Sequence, residues 1–513
     1  MDKYILAHDL GTSGNKATLY SIEGKLKASV LYEYDTHYPS QGHVEQNPHD
    51  WWCAVCKSTS ELFEKSNIKN TQVEVVSFSA QMMGALAVDK QGEPLRNMII
   101  WADTRAKKQE ERMKNVLGME YVYQMTGHRA SASYSAAKLL WIKDNEPYIY
   151  KHTYKMLHAK DYIIHKLTGV FATDYSDASG TNLFDIRGKK WSKEILEGLQ
   201  IEEGILPELY KSTDIIGMVT KEAASLTGLI EGTPVVMGGG DGSCACVGAG
   251  ITKEGRAYNV LGSSSWTSLA SKEPIFDEQM RTFNWVHLDS ELYTPCGTMQ
   301  AAGYSYSWYK NILCKEESQN GTELGISPYE LINEGIKESK PGSGGIIYLP
   351  YLLGERSPRW NMDAKGAFIG LSVTTTKNDM ARAVLEGVGY NLKLIMDILE
   401  MKNQIKEVAL IGGGAKGDIW VQILADIWQK PIKIPTYLEE ATSMGAAICG
   451  GVGVGIYPDF HVIEQFNKTN QVIMPNPDLK YRYGKMYDIF NRAYEGLEET
   501  YKQITEFHNQ FSN

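Results

Sequence analysis

The sequence predicts an α/β protein made of two similar domains flanking a cleft, and three observations carry that reading. Two turns rich in glycine and hydroxyl groups, GTSG (11–14) and GSSS (262–265), each join two short strands about half a chain apart. Two apolar runs, VVM (235–237) and VALI (408–411), each lead into three consecutive glycines. The 513 residues leave room for two or three domains at roughly 100–200 residues each. Paired features at that spacing predict an internal duplication.

The first strand is Tyr4–Ala7, followed by His8-Asp9 and the turn Gly11-Thr12-Ser13-Gly14. Lys16–Ser21 alternates and reads as a returning strand that ends at the turn Glu23-Gly24. This is a hairpin, whereas a dinucleotide or Walker-type phosphate loop opens a helix. WWCAVC holds Cys53 and Cys56 in a CxxC without a second pair or a histidine set, so a helix face capped at its start by Asp50 is expected, with metal or redox chemistry as the alternative.

The stretch VVMGGGDGSCACVGAG (235–250) holds six glycines and one charge, Asp241. It reads as a strand followed by a helix of small residues. The domain boundary is expected just after it, giving domains 1–252 and 253–513. The second half opens with AYNVL (257–261), the turn Gly262-Ser263-Ser264-Ser265, and a returning strand Trp266–Ala270. SKPGSGG (339–345) reads as a loop before the apolar strand IIYLPYL. IGGGAKGDIW (411–420) reads as a strand, a glycine loop and a helix. Near the C-terminus Tyr483, Tyr487, Phe490, Tyr494, Leu497 and Tyr501 form an apolar helical stripe. It packs on the second domain or, alternatively, forms the seam of a homodimer.

The bulk composition excludes several classes. A formal net charge of -10, with basic residues only in pairs such as Lys107-Lys108, argues against nucleic acid and membrane surfaces as partners. No run is long and apolar enough for a membrane span, and the N-terminus lacks a secretory signal pattern. Seven cysteines, an odd number, fit a reducing cytoplasm.

A glycine- and hydroxyl-rich turn exposes backbone N–H groups that suit phosphate oxygens, and two such turns can grip one polyphosphate from both sides. Asp9 and Lys16 flank the first turn, an acid for a metal's water shell and a cation for phosphate charge. The glycines at 412–414 let a flat ring approach the backbone. A carboxylate at a glycine-cleared strand end can face a cleft, and phosphoryl transfer to an alcohol needs a group to accept the hydroxyl proton. Asp241 fits that need; its alternative is a helix cap.

These residues together resemble the FGGY family of carbohydrate kinases. SYSAAKLLWIKDN (133–145) and GAFIGLSVTTTKNDMARAVLEG (366–387) match its two signatures. IIWADTRA (99–106), KDYIIHKLTG (160–169), YSDASGT (175–181) and LPYLLGERSP (349–358) resemble its xylulokinase branch. The resemblance implies two RNase H-like domains of the actin-like ATPase fold, sugar-kinase type. It implies ATP-dependent, Mg²⁺-assisted phosphorylation of a primary hydroxyl, D-xylulose to D-xylulose 5-phosphate first. Another ketose, a polyol or a sugar acid (ribulose, erythritol, glycerol, gluconate) is the alternative, and a non-enzymatic actin-like nucleotide-binding protein a remote one. It makes Asp241 the catalytic base and Asp9 the Mg²⁺-side carboxylate. Thr12, Ser13 and Lys16 fall in the first phosphate loop and Gly262, Ser263 and Ser264 in the second. Gly303 falls beside the nucleotide, and Gly413, Gly414, Ala415, Lys416 and Asp418 in the adenosine motif. Gln81, Met82, Met83, Trp101, Asp103 and Arg105 line the sugar cleft with Asp241. Where the xylulokinase branch reads QMHG and GDN, this chain has Gln81-Met82-Met83-Gly84 and Gly240-Asp241-Gly242.

Overall fold

The computed structural model describes residues 2–511. Both predicted hairpins form. In the first half β1 (Tyr4–Leu10) returns as β2 (Gly14–Ser21) and continues into β3 (Leu26–Glu33). Helix α1 (Pro48–Ser66) then crosses to β4 (Val73–Ala80), which pairs parallel with β1. After a long excursion the chain re-enters the sheet through β5 (Ile215–Met218), β6 (Pro234–Val236) and the two-residue β7 (Gly239–Gly240), and leaves in helix α2 (Asp241–Gly248).

The second half repeats this plan. β8 (Arg256–Leu261) returns as β9 (Ser265–Leu269); β10 (Phe283–Val286) and β11 (Tyr293–Met299) follow. Helix α3 (Gly303–Leu313) starts the excursion that ends in α4 (Lys377–Leu399), a 23-residue helix whose start is fixed by a reciprocal Thr376–Asp379 cap. Then come β12 (Glu407–Ile411), α5 (Asp418–Trp428), β13 (Ile432–Pro435), α6 (Ala441–Gly453), β14 (Thr469–Ile473) and α7 (Lys480–Phe511).

The strand orders coincide. The first sheet runs β5-β6-β4-β1-β2-β3 and the second β14-β13-β12-β8-β9-β11, with β10 added beyond β11. Pairing senses match as well: β4 and β12 lie parallel to their hairpins' first strands, while β5 and β14 are antiparallel edges. The duplication therefore stands on the hairpins and the strand order. It does not stand on the triple glycines. VALIGGG ends β12, whose counterpart is β4, whereas VVMGGG belongs to β6 and β7, whose counterpart is β13. The glycines recur because each strand end is crowded, and the crowding arises at different places in the two sheets.

Helices α2 and α6 occupy equivalent positions and cross each other between the sheets. A Cβ on Gly248 would lie 1.7 Å from the Ala441 carbonyl oxygen, and one on Gly445 would lie 2.0 Å from that of Cys244. The helices can approach this closely only through glycine. On either side of the crossing, Met444, Ala447 and Ile448 pack with Ile5, Ala7 and Val75, and Ala245 and Cys246 pack with Tyr258 and Ile411. Each sheet is thus covered partly by its neighbour's helix.

Asn47, not Asp50, caps α1. The Asn47 side chain accepts the His49 N–H at 3.2 Å, Pro48 fills the first helical position, and Asp50 sits inside the first turn. Cys53 and Cys56 are unbonded and half-buried on this helix, and burial raises the Cys56 thiol to about 12. The 339–345 loop leads into the strand Ile347–Leu349 as expected. The aromatic stripe of α7 packs inward: Tyr483, Phe490, Tyr494 and Tyr501 are buried in the second half's core.

Candidate active site

The site is built where strand ends of the first sheet meet the second hairpin. β1, β4 and β7 are adjacent and parallel in the order β1-β4-β7, so Asp9 faces Ser79 in register and Gly239 faces the other side of the same residue. The next residue after β7 is Asp241, the first of α2. Gly240 is the helix cap and supplies no side chain, so Asp241 does not cap α2. Its Oδ1 accepts only the adjacent Gly242 N–H, at 2.7 Å.

The glycines around Asp241 are sites of close approach. Gly238 has φ +66°, and a Cβ there would lie 2.0 Å from the Phe78 carbonyl oxygen. A Cβ on Gly240 would meet the Met82 sulfur at 2.4 Å, and one on Gly242 the Trp266 ring at 3.1 Å. The two residues that flank Asp241 are thus packed under Met82 and Trp266. Asp241 as a residue is exposed to the cleft, while the protein atoms around its carboxyl, and then the neighbouring Asp9 charge, push that carboxyl up to about 7. Burial also raises Asp9, against the pull of Lys16.

Lys16 is the direct cross-strand partner of Asp9 in the first hairpin. The turn between them is closed by the Gly11 N–H to the Gly14 carbonyl at 3.0 Å and leaves Ser13 exposed. Thr12 is held from two sides, by Trp101 Nε1 on its hydroxyl at 2.9 Å and by Gln46 Nε2 on its carbonyl at 2.6 Å. In the second hairpin the Gly262 N–H bonds the Ser264 carbonyl at 3.0 Å, and Ser263 and Ser264 are exposed. Helix α3 docks on this turn: the Gly303 and Tyr304 N–H groups each donate at 2.9 Å, to the Gly262 and Ser263 carbonyls. A Cβ on Gly303 would come within 2.5 Å of the Gly262 oxygen, which is why glycine opens that helix.

Gly413, Gly414, Ala415 and Lys416 form a single 3-10 turn after β12. Gly414 lies on Leu261 of the second hairpin, where a Cβ would meet the side chain at 2.4 Å. Asp418 is exposed at the first position of α5. Lys416 pairs with Glu439 at 2.7 Å, while Lys16 reaches Glu440 at 3.6 Å and the Glu439 carbonyl at 3.4 Å. The acid pair before α6 thus links the first hairpin to the glycine turn.

The expected sugar-facing residues fall into two groups. Gln81 and Met82 are buried, and Met83 stands at φ +64° with its carbonyl accepting the Lys138 ammonium at 2.7 Å. Gln81 donates to Gln46 at 2.7 Å, so this loop and the first hairpin share one hydrogen-bonded chain. Trp101 is on the hairpin, as above. Asp103 and Arg105 are spent on each other. Both Asp103 oxygens take Arg105 donors at 2.7–3.0 Å, and Oδ2 also accepts the Val44 N–H. Arg105 further pairs with Glu45 at 2.8 Å and stacks on Trp141. They brace the wall and present no unpaired charge.

Sequence reasoning did not single out Gln46, Lys138, Ser176 or Trp266. Lys138 is wholly buried, and burial lowers its ammonium to about 7; its only signal was its place in SYSAAKLLW. Met82 and Trp266, with Tyr134, Phe283 and Trp285, form a compact apolar cluster. A second polar cluster behind Asp241 gathers His158, Asp161 and Asp177, with the Lys160 ammonium 2.9–3.4 Å from Asp161, Asp174 and Asp177. That ammonium supplies the positive charge a metal would otherwise bring.

The arrangement offers two backbone-lined turns for a polyphosphate, a carboxylate of raised basicity beside them, and an apolar and amide-lined loop for a small acceptor. Comparison with known proteins identifies the family. Residues 4–248 match the N-terminal domain of the FGGY family of carbohydrate kinases and residues 257–454 match its C-terminal domain. The chain is 33% identical over 510 residues to a xylulose kinase of Bacillus subtilis, covering 98% of this chain and 99% of that one. It is 30% identical over 515 residues to a gluconokinase of Bacillus licheniformis, covering 100% of each. Its fold is similar to a crystal structure of a ligand-bound xylulose kinase from Lactobacillus acidophilus, with TM-score 0.91, 28% identity and coverage of 98% of this chain and 100% of that chain. The chain belongs to the FGGY family of carbohydrate kinases.

Proposed function

We propose that this kinase transfers the γ-phosphoryl group of ATP to the primary hydroxyl of a small sugar, D-xylulose first among the candidates. Asp241 accepts the hydroxyl proton while that oxygen attacks phosphorus in line. The observation that carries this reading is a cleft-facing carboxylate at the end of β7, next to Asp9, raised to about 7 and not used as the cap of α2. A base poised near neutral pH abstracts a proton more readily than an ordinary carboxylate.

The hairpin turns at 11–14 and 262–265 hold the phosphate chain through N–H and hydroxyl groups. The turn 413–416 with Asp418 holds the adenosine, and Gln81, Met82, Met83 and Trp101 face the sugar. Asp103 and Arg105 act on the sugar through the wall they brace. Asp9 would hold Mg²⁺. The donor set fits: Asp9 lies in a crowding recess, loads Asp241 with like charge, and shares its one cross-strand cation with Glu440. When bound, Mg²⁺ supplies charge neutralisation at the transferring group. The domain boundary lies between α2 and β8, near residues 252–253. Seven free thiols suit a reducing cytoplasm. Among the described residues no helix is long and apolar enough to cross a membrane.

The sugar is decided by a coupled ADP-release assay with D-xylulose, D-ribulose, glycerol, erythritol and gluconate, with the phosphate located on the product by ³¹P NMR. D-Xylulose should give the highest kcat/KM and a 5-phosphate. Preference for gluconate or a polyol would move the assignment within the family; ADP release that no acceptor stimulates would end it.

A further inference from the structure

We propose that Ser176 is a positioning residue for Asp241, set in place by the buried Lys160–Asp174 pair behind it. This rests on the reading of Asp241 as the base.

Gly240, the residue before Asp241, donates its N–H to Ser176 Oγ at 3.0 Å. On its other side Gly240 is paired with Ala80 of β4. The backbone that aims Asp241 is therefore strapped from both sides, once by a strand and once by a single side chain. The polarity of that side chain is fixed. Ser176 Oγ donates to Asp174 Oδ2 at 2.5 Å, so toward Gly240 it can only accept. Asp174 Oδ2 also takes the Ser176 N–H at 2.9 Å and the Ser212 hydroxyl at 2.8 Å, and Oδ1 faces Lys160 at 3.1 Å. Lys160 is completely buried, as are Asp174, Ser176 and Asp177. Asp177 is held in turn by His158 Nδ1 at 2.8 Å, and His158 by the Ser135 hydroxyl at 2.9 Å.

A network of this kind is an expensive way to fill a core. Buried ion pairs often stabilise no better than well-packed apolar side chains of the same volume. What it does supply is direction where it meets Ser176, because Asp174 Oδ2 takes the Ser176 hydroxyl proton and leaves the Ser176 oxygen facing Gly240 as an acceptor. The direction is delivered at one point, the Gly240 N–H. The short helix Tyr175–Ala178 that carries Ser176 runs on into the turn Ser179–Thr181, where a Cβ on Gly180 would lie 3.3 Å from the Met83 side chain. None of the hydrogen bonds of Ser176 or Asp174 reaches the two hairpins or the glycine turn at 413–416. Disturbing it should misplace the base and leave the nucleotide grip intact.

The test uses the full-length enzyme with Ser176→Ala, Ser176→Cys and Ser176→Thr, each also made in Asp241→Asn. A misplacement near 1 Å can cost on the order of 100-fold. Ser176→Ala should lower kcat by about 10- to 100-fold with the ATP KM within about two-fold. Ser176→Thr, which keeps the hydroxyl, should restore most of it. In the Asp241→Asn background Ser176→Ala should cost nothing further. If Ser176→Ala fails to fold, Ser176→Cys reads the same loss with nearly unchanged volume. Wild-type kcat in the Ala and Cys variants, or an equal loss in the Asp241→Asn background, overturns the proposal. Should Asp241→Asn itself retain activity, the base assignment fails instead, whatever Ser176 does.

Discussion

The two hairpins are the same device with different contents. Leu10 and Leu261 precede the two turns, and in each the first glycine N–H closes the loop at 3.0 Å, the second turn being one residue tighter. One pair back from the turn, the first hairpin sets Asp9 opposite Lys16, and the second sets Val260 opposite Trp266. The loops that leave the neighbouring parallel strands differ likewise. After β4 the chain runs into Gln81-Met82-Met83; after the equivalent β12 it runs into Gly412-Gly413-Gly414. One scaffold thus repeats its turn and diverges in side chains. The first half carries the charges and the Gln81-Met82-Met83 loop, the second a flat glycine turn and an aromatic.

The sharpest way to break this comparison is at Asp241, which lies on the charged side. Asp241→Asn keeps shape but accepts no proton, and general-base loss costs about 10²–10⁴-fold. Turnover should collapse while affinity for a non-hydrolysable ATP analogue, measured by calorimetry, stays within about two-fold. More than about a tenth of wild-type kcat, with chemistry limiting, would mean that another group takes the proton.

A smaller effect is expected where the halves meet. In Gly445→Val the new side chain is forced against the Cys244 carbonyl, where even Cβ would be at 2.0 Å. Overpacking of this sort costs roughly 1–3 kcal/mol. The denaturant midpoint should fall; an unchanged midpoint would show that α2 and α6 are not tightly crossed.

The smallest effect concerns selectivity. Gly242→Asn adds a donor beside the base, but the Trp266 ring lies 3.1 Å from the new Cβ. Alone, the substitution should lower activity on every sugar. Combined with Trp266→Ala and Met83→His, it should raise kcat/KM for D-xylulose relative to gluconate and glycerol by about five-fold, the ratio that corresponds to the roughly 1 kcal/mol of one hydrogen bond. If Gly242→Asn alone is neutral, Trp266 does not set the space at 242.

Much of this was legible in the sequence because it is local. A glycine-hydroxyl turn between alternating strands is written in one short stretch, and both hairpins formed within three residues of their expected ends. The lone acid at a glycine-cleared strand end is legible for the same reason, and it falls where β7 meets α2. The triple glycines misled about topology because they report close approach, Gly238 to Phe78 and Gly414 to Leu261, and say nothing of strand order. Order depends on β1 pairing with β4 more than 60 residues away. Asn47 displaced Asp50 as the cap because Pro48 begins the helix and the acid then falls inside it. Gln46 carried no local sign, and Lys138 and Ser176 carried none beyond their places in SYSAAKLLW and YSDASGT, since each acts on a main-chain group distant in sequence: Thr12, Met83 and Gly240. Asp103 and Arg105 are near each other in the chain, yet their mutual pairing appears only once the wall is folded.

The division of labour between the halves is tested most directly at its two matched loops. Gln81→Ala, after β4, and Lys416→Ala, after β12, are compared for sugar KM and ATP KM under the same conditions. Gln81→Ala should raise the sugar KM several-fold, about the worth of one hydrogen bond, and leave the ATP KM within about two-fold. Lys416→Ala should do the reverse. If both substitutions raise the same KM, or each raises the one assigned to the other, the two halves do not share the work as proposed.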